Sequence, residues 1–469
     1  VVVRILNRLL LSLVIIPSIF GYGYSGEDNF RKALEFTYLN NPDLIIARKS
    51  LESTNENLTQ AEAARYPSIS LSASSQRSYT STNNDFDTES DTNTIRVGGE
   101  YTLFSSGRII SGVRASEDGI RSARFSLKSQ EQQTLLSSIK AYLDVARDRK
   151  LTEISENNLK VIGEQVDAIK NRFALGSATR TDLAEREAAF ESAKAEHSAR
   201  KGALISSEEV YKTQIGIEAP KTIMEPEDMP RIPDDLGEAM KIGLAKHPLI
   251  LTAMADFLAS REQYKQIRAS RGLNVTISGS IQNSDSNSLN GNTGSIGISA
   301  SIPIFSGGNL VSRQRQGLLA MESAQVRLSK QKRIVEQNIE IGWNSLKVSE
   351  ATVEARLLQV GASSLAYDGI KKEFELGARS NLELSIAEQN LLRSRSDLTS
   401  AERDVKFAVY SLLASIGKLD AISLELDVKP FDPELKGPKL TPMEKDKVYK
   451  SKVSNPLREI LNNLGSLVD

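Results

Sequence analysis

The chain is written twice, so its fold must be built from two copies of one unit. Residues 33–51 (ALEFTYLNNPDLIIARKSL) align with residues 239–257 (AMKIGLAKHPLILTAMADF), with Pro42 falling on Pro248 and Ala47 on Ala253. Farther along, Leu103-Phe104-Ser105-Ser106-Gly107 matches Ile304-Phe305-Ser306-Gly307-Gly308, and Phe173-Ala174-Leu175-Gly176 matches Phe374-Glu375-Leu376-Gly377, at an offset of 201 residues. Ile215-Gly216 matches Ile416-Gly417 at the same offset. Self-similarity on this scale marks a tandem structural repeat. Between the copies, Pro220–Pro233 holds four prolines in fourteen residues, the composition of a linker. The copies therefore occupy residues 26–219 and 235–427, with a linker at 220–234 and a tail at 428–469.

Within each copy the order reads helix, two strands, long helix, shorter helix. No proline lies between Pro67 and Pro220 or between Pro303 and Pro430, so nothing there forces a helix to break. The long helix of copy one is expected from Gly107 to Leu175, roughly 100 Å at about 1.5 Å per residue. Heptads identify what such helices pack against. Leu384, Leu391, Leu398, Val405 and Leu412 form a row of large residues, and Ala387, Ser394, Ala401, Ala408 and Ser415 a parallel row of small ones. The preceding helix carries Leu346, Val353, Val360, Tyr367 and Phe374; its counterpart carries Val145, Thr152, Leu159, Val166 and Phe173. Only 39% of the chain is hydrophobic and 6% aromatic, which suits long helices that cover each other without a thick core. By themselves these helices also fit an ordinary secreted coiled coil.

The strands distinguish the two. Ser68–Ser74 and Asn274–Ser278 alternate between polar and apolar residues. Ile95, Val97, Tyr101 and Leu103 alternate with Thr94, Arg96, Gly98, Glu100 and Thr102, while Ile296, Ile298, Ala300, Ile302 and Ile304 alternate with small or polar residues. Each strand is about ten residues with one apolar face, as a membrane strand between lipid and an aqueous lumen requires. Arg96 and Glu100 fall on the lumen side. Tyr66, Tyr79, Tyr101, Phe104 and Phe305 sit near strand ends, where an aromatic girdle forms. The tips, Thr80–Asn93 and Asn283–Gly294, are polar enough to read as solvated loops. Four strands cannot close a barrel, which needs about eight, and open edges in hydrocarbon cost several kcal/mol per unpaired backbone group. Association into a ring follows, unless the hairpins fold face to face in water. Three protomers give twelve strands; counting alone also permits a dimer or tetramer.

Arg4 and Arg8 precede the apolar run Leu9–Phe20 and a small-residue stretch, the order of a signal peptide over residues 1–25. The run is short of the about 20 residues a spanning helix needs, and no later segment is expected to span as a helix. A net charge of −1 offers nothing to nucleic acid, and the absence of cysteine removes disulfides and thiolate metal sites. His197 falls on the coiled-coil seam and His247 at a turn matching Asn41, so neither reads as a metal ligand. No phosphate-binding loop, nucleophile elbow or paired-carboxylate motif occurs, so neither cofactor nor enzymatic role is expected. The tail holds five of the fourteen prolines and reads as an extended or disordered segment, with one short helix at Leu457–Leu467.

Taken in order, these residues resemble the TolC-like outer-membrane channels of type I secretion and drug efflux, from about Glu27 to Asp427. The resemblance rests on the duplication, the Ala-Leu…Asn-Pro-x-Leu opening, the Leu-Phe-Ser-x-Gly junctions and the segment Arg172–Leu183, which is similar to the helix tip of the type I branch. It implies an α+β outer-membrane protein: a homotrimer with a twelve-stranded β-barrel continued by a coiled-coil α-helical barrel in the periplasm. The partners it implies are outer-membrane lipid, a periplasmic adaptor (membrane fusion protein) and an inner-membrane ABC or proton-driven transporter. Leu175-Gly176-Ser177 and Leu376-Gly377-Ala378 match the adaptor-facing tips. Asp182 and Arg379 match the family's gate pair, and Glu383 one position of its acidic constriction; the other position is Ile386 here, which departs from a double carboxylate ring. The implied function is a passive export duct for proteins, with small-molecule efflux as the alternative within the family and a poreless coiled coil as the alternative outside it.

Overall fold

The computed structural model describes residues 26–82, 86–223, 226, 229–286 and 290–431. The expected signal peptide and the helix at 457–467 lie outside the described residues. The first copy contains α1 (Gly26–Asn40), α2 (Pro42–Ala63), β1 (Ser68–Thr82), β2 (Phe86–Phe104), α3 (Arg108–Ala174) and α4 (Arg180–Ile215). The second contains α5 (Leu236–Lys246), α6 (Pro248–Ala269), β3 (Asn274–Ser286), β4 (Asn290–Ser301), α7 (Asn309–Glu375) and α8 (Asn381–Ser415).

Each copy opens with two helices where the sequence suggested one, and proline is the cause. Pro42 and Pro248 take the first helical positions of α2 and α6, forcing the residue before each into extended backbone, ψ 128° at Asn41 and 126° at His247. Both residues then serve as N-caps: Asn41 Oδ1 accepts the Asp43 amide at 2.9 Å, and His247 Nδ1 accepts the Leu249 amide at 3.2 Å. The break also bears on the expectation that no later segment is fit to span a bilayer as a helix. Leu236–Ala269 is long and apolar enough by composition to do so, which corrects that expectation. The chain nevertheless divides it at His247, and α6 packs along α3 and α7.

The strands form one antiparallel sheet in the order β1-β2-β3-β4. They run to 15, 19, 13 and 12 residues, longer than expected, because the polar tips are ladder and not loop: Ser81 pairs with Asp87, and Asp285 with Asn290. Serine, threonine and asparagine leave the backbone free to pair, and Arg77 ties the extension across strands through a bidentate contact to Asp91 at 2.6 and 2.7 Å. At the other end β4 stops at Ser301, short of Ile304, since Pro303 has no amide to donate.

Strand order becomes helix order. α2 leads into β1, β2 into α3, α6 into β3 and β4 into α7, and α2, α3, α6 and α7 are neighbours in that sequence. Farther from the sheet the order is α4–α3–α8–α7. α3 and α7 each have 67 residues, about 100 Å of helix. The heptad rows face inward within the α7/α8 hairpin, where Leu346, Leu384, Ala387, Leu391, Ser394, Ala401, Ala408 and Leu412 are buried. A thick core does exist, contrary to expectation, at the middle of α3 and α7. There α1, α5 and residues 416–428 double the layer, and Phe30 meets Tyr142 edge-on at 5.0 Å with Tyr211 and Tyr410 nearby. The first tail residues, 428–431, are held there as well: the Phe431 amide donates to the Tyr38 hydroxyl at 2.9 Å, and the Arg48 guanidinium lies 5.2 Å from the Phe431 ring.

Candidate functional site

The sheet register sorts the side chains onto two faces. Across one row lie Ser68, Glu100, Ser278 and Gly297; across the next even-numbered row of β1 come Ser70, Gly98, Ser280 and Ser295, then Ser72, Arg96, Gln282 and Thr293. This face carries hydroxyls, glycines, the Gln282 amide and two charges, and it forms an open depression of about 530 Å³ between Ser68 and Gly297. Interleaved rows carry Leu71, Val97 and Ile281, and Tyr101, Ile277 and Ile298. That second face is exposed, with Ile69 at 77% and Ile296 at 82%. A bulge adjusts it: Thr102 pairs with Thr276 but Phe104 with Val275, so Leu103 is skipped and Phe104 joins the face of Tyr101. Tyr66, Phe104 and Phe305, all at least half exposed, flank the strand ends from which the helices depart, with Tyr101 three residues inside β2. Among the described residues β1 and β4 each have one edge without a strand partner.

At the far end of the wall, both hairpin turns are built alike. Ser177 and Gly176 amides donate to the Arg172 and Phe173 carbonyls at 2.8 and 3.0 Å; Ala378 and Gly377 repeat the pattern to Glu373 and Phe374 at 2.8 and 2.9 Å. Such a cap needs a left-handed residue, and Gly176 and Gly377 supply φ of 74° and 76°. Leu175 and Leu376 project from these turns, 84% and 85% exposed.

Asp182 and Glu383 occupy equivalent places, each the third residue of a capping box. Asp182 accepts from the Thr179 amide and hydroxyl at 2.9 and 2.7 Å, and Glu383 from the Ser380 amide and hydroxyl at 2.8 and 2.9 Å. These bonds favour the ionised form, so the Asp182 carboxyl lies below its ordinary range, while Glu383 falls to about 2 through the Ser380 amide and then Arg379. Arg379 reaches Glu373 and Glu383, both at 2.7 Å. Within one protomer, the side chains of Asp182 and Arg379 thus spend their hydrogen bonds on other partners.

A charged cluster that sequence reasoning passed over lies just behind the tips. Arg186, 2% exposed, donates from Nε to Asn381 Oδ1 at 2.6 Å and from Nη1 to Gln165 Oε1 at 2.9 Å and Glu388 Oε2 at 3.0 Å. The repeat offset held a signal for it: counting 201 residues on from Arg186 reaches Ala387, in the small-residue row of the seam. A charge at a seam position demands a buried partner. His197, also on the seam, meets Ser155 at 3.1 Å. Among the described residues no group of three or more His, Cys, Asp or Glu side chains is placed to hold a metal ion.

Comparison with known proteins agrees with this geometry. The sequence profile of the family described as Outer membrane efflux protein matches residues 34–212 and 241–418, one match in each copy. The chain is 30% identical over 406 residues to the outer membrane efflux protein BepC of Brucella suis, covering 86% of this chain and 88% of that protein. It is 26% identical to the alkaline protease secretion protein AprF of Pseudomonas aeruginosa, covering 86% of each. Among solved structures, the CmeC outer membrane channel of Campylobacter jejuni superposes with a TM-score of 0.74 at 15% identity, over 86% of this chain and 90% of that one. The outer membrane protein VceC of Vibrio cholerae gives 0.71 at 20% identity, over 83% and 96%.

Proposed function

The chain belongs to the outer membrane efflux protein family, and from that premise we propose that it is one protomer of a trimeric duct for type I protein secretion. It is an outer-membrane export channel with a helical part reaching into the periplasm. The observation that carries the duct is the two-faced sheet with two open edges. Its exposed isoleucines suit lipid, its serine face with Arg96 and Glu100 suits a water-filled lumen, and its edges are tolerable in a bilayer only when paired with neighbours. The wall offers matching edges. On the outer side of one protomer α7 exposes Leu319, Val326, Val348 and Leu365, and at the opposite edge α4 exposes Ile205 and Val210. Three copies would give twelve strands, with Tyr66, Tyr101, Phe104 and Phe305 as the girdle.

In this duct the exposed Leu175 and Leu376, with Gly176, Ser177, Gly377 and Ala378, form the surface an adaptor covers, behind which an inner-membrane transporter stands. Asp182, Arg379 and Glu383 ring the entrance, where carboxylates ionised across the physiological range favour cations. Protein export is favoured by the alkaline protease secretion relative and by a second one, the proteases secretion protein PrtF of Dickeya chrysanthemi, 24% identical over 51% of this chain. The Brucella relative, named an efflux protein, favours small-molecule efflux as the second assignment. A deletion strain separates them: a secreted protein should vanish from the medium and return on complementation. Drug sensitivity with unchanged secretion would transfer the assignment to efflux.

A further inference from the structure

The hydroxyl face of the sheet is neutral except at two places. From the row Thr102-Thr276-Ser299 to the pair Ser78-Ser90, every residue on that face is Ser, Thr, Gly or Gln, apart from Arg96 and Glu100. Both stand on β2, four residues apart, with Gly98 between them on the same face. Both side chains are exposed, and among the described residues neither charged end has a hydrogen-bond or ion-pair partner. The neighbouring Ser72 and Ser68 hydroxyls turn instead to the Arg96 and Glu100 backbone carbonyls, at 3.5 and 3.4 Å. On the opposite face Arg77 is, by contrast, neutralised by Asp91 at 2.6 Å and Glu89 at 3.3 Å. The hydroxyl face thus displays two bare charges of opposite sign, about 13 Å apart along one strand.

We propose that Arg96 and Glu100 are specificity-determining residues that make the passage of ions through the barrel directional. Glu100 lies nearer to Phe104, where β2 gives way to α3. Three-fold repetition therefore sets a ring of Glu100 on the periplasmic side and a ring of Arg96 on the outer side. Twelve strands about 4.8 Å apart and tilted about 40° close to a cylinder about 24 Å across. The charged ends then lie about 6–8 Å from its axis, and the rings about 10 Å apart along it. The Debye length is about 10 Å at 0.1 M salt, so each ring is felt at the axis; at 1 M it is about 3 Å, and neither is. Three such charges change the ion concentration on the axis about twofold at 0.1 M and hardly at all at 1 M. A carboxylate ring gathers cations and a guanidinium ring anions. With the periplasmic side positive, cations enter past Glu100 and anions past Arg96, and both accumulate between the rings. With the polarity reversed, each ion meets its repelling ring first and the gap is depleted. Conductance is therefore larger with the periplasmic side positive. Multivalent ions of either sign are slowed most, since whatever one ring admits the other opposes.

The paired rings rest on the channel assignment above, and single-channel recording of the purified full chain in planar bilayers separates the two. Protein added to one chamber inserts barrel first, because the polar helical wall cannot cross lipid, so the orientation is fixed. No discrete conductance at all would overturn the channel assignment and the rings with it. The readout is the ratio of currents at opposite voltages, which cancels any change in overall pore size. Relative to wild type, Arg96→Gln with Glu100→Gln is expected to lower this ratio by about 1.5-fold at 0.1 M salt and to leave it unchanged at 1 M. The exchange Arg96→Glu with Glu100→Arg is expected to carry it further in the same direction, past the neutral pair, a result that separates the barrel's contribution from that of Glu383. Equal ratios in all three proteins, or a difference that persists at 1 M, would overturn the rings. Should the exchanged pair fail to assemble, Arg96→Lys is expected to hold the wild-type ratio and Arg96→Gln to lower it; equal lowering by both would overturn the proposal.

Discussion

His247 and Asn41 hold equivalent positions and do one task with different chemistry. Each caps a helix and ties it to the end of a neighbour: Asn41 Nδ2 donates to the Gln214 carbonyl at 2.9 Å, and His247 to the Ala414 carbonyl. The cap requires an unprotonated Nδ1. Burial holds the imidazole pKa below its ordinary 6.5, and the Ala414 bond offsets this only in part. The unfolded chain thus takes up a proton that the folded chain resists, so the stability His247 supports is complete above 6.5 and lost as pH falls through the depressed folded value. His247→Asn should therefore melt with wild type near about pH 7.5 and above it near about pH 5. A wild-type advantage at the acid end in scanning calorimetry would contradict this. That this residue was a turn position could be read from Pro248; that its ring is a cap could not, because the acceptor geometry exists only once α6 has formed.

At the hairpin tips one carboxylate closes each capping box, and the proposed gate would give Glu383 a second task in the pore. α4 and α8 start from the same box, Thr179 with Asp182 and Ser380 with Glu383. Glutamine closes the box as glutamate does, so cap and charge are separable. Glu383→Gln is expected to leave melting close to wild type while lowering cation preference, read as a reversal potential shifted toward zero in a salt gradient. Ser380→Ala should do the opposite, costing about 1 kcal/mol of stability with selectivity kept. If both variants alter selectivity alike, Glu383 acts through helix position and not through charge. At this scale sequence was informative about existence and weak about ends. The long helices and the glycine turns followed from missing prolines and from the repeat. Strand length did not, since Ser81 and Asn290 pair as readily as apolar residues when both faces are wet.

For the whole molecule, every open edge is a statement about neighbours. Among the described residues β1 and β4 each have one edge without a strand partner, and α7, which packs on α5, α6 and α8, leaves Leu319, Val326, Val348 and Leu365 exposed. Putting a charge at those positions should undo assembly without unfolding a protomer. Val348→Asp with Leu365→Asp, at 65% and 76% exposure, is expected to give monomers by native mass measurement in detergent, with helical circular dichroism retained. Retention of an unchanged oligomer would place the interface on another surface.

By itself the sequence determined the tandem repeat, the long proline-free helices and the two-faced strands. All of these are periodic or local properties, carried by spacing along the chain. Only the tertiary structure decided that the opening helix splits at proline, that a bulge turns Phe104 onto the apolar face, and that Arg186 finds Glu388, 202 residues away, instead of solvent. Those outcomes depend on which elements meet and in what register, and no pattern within one element contains that information.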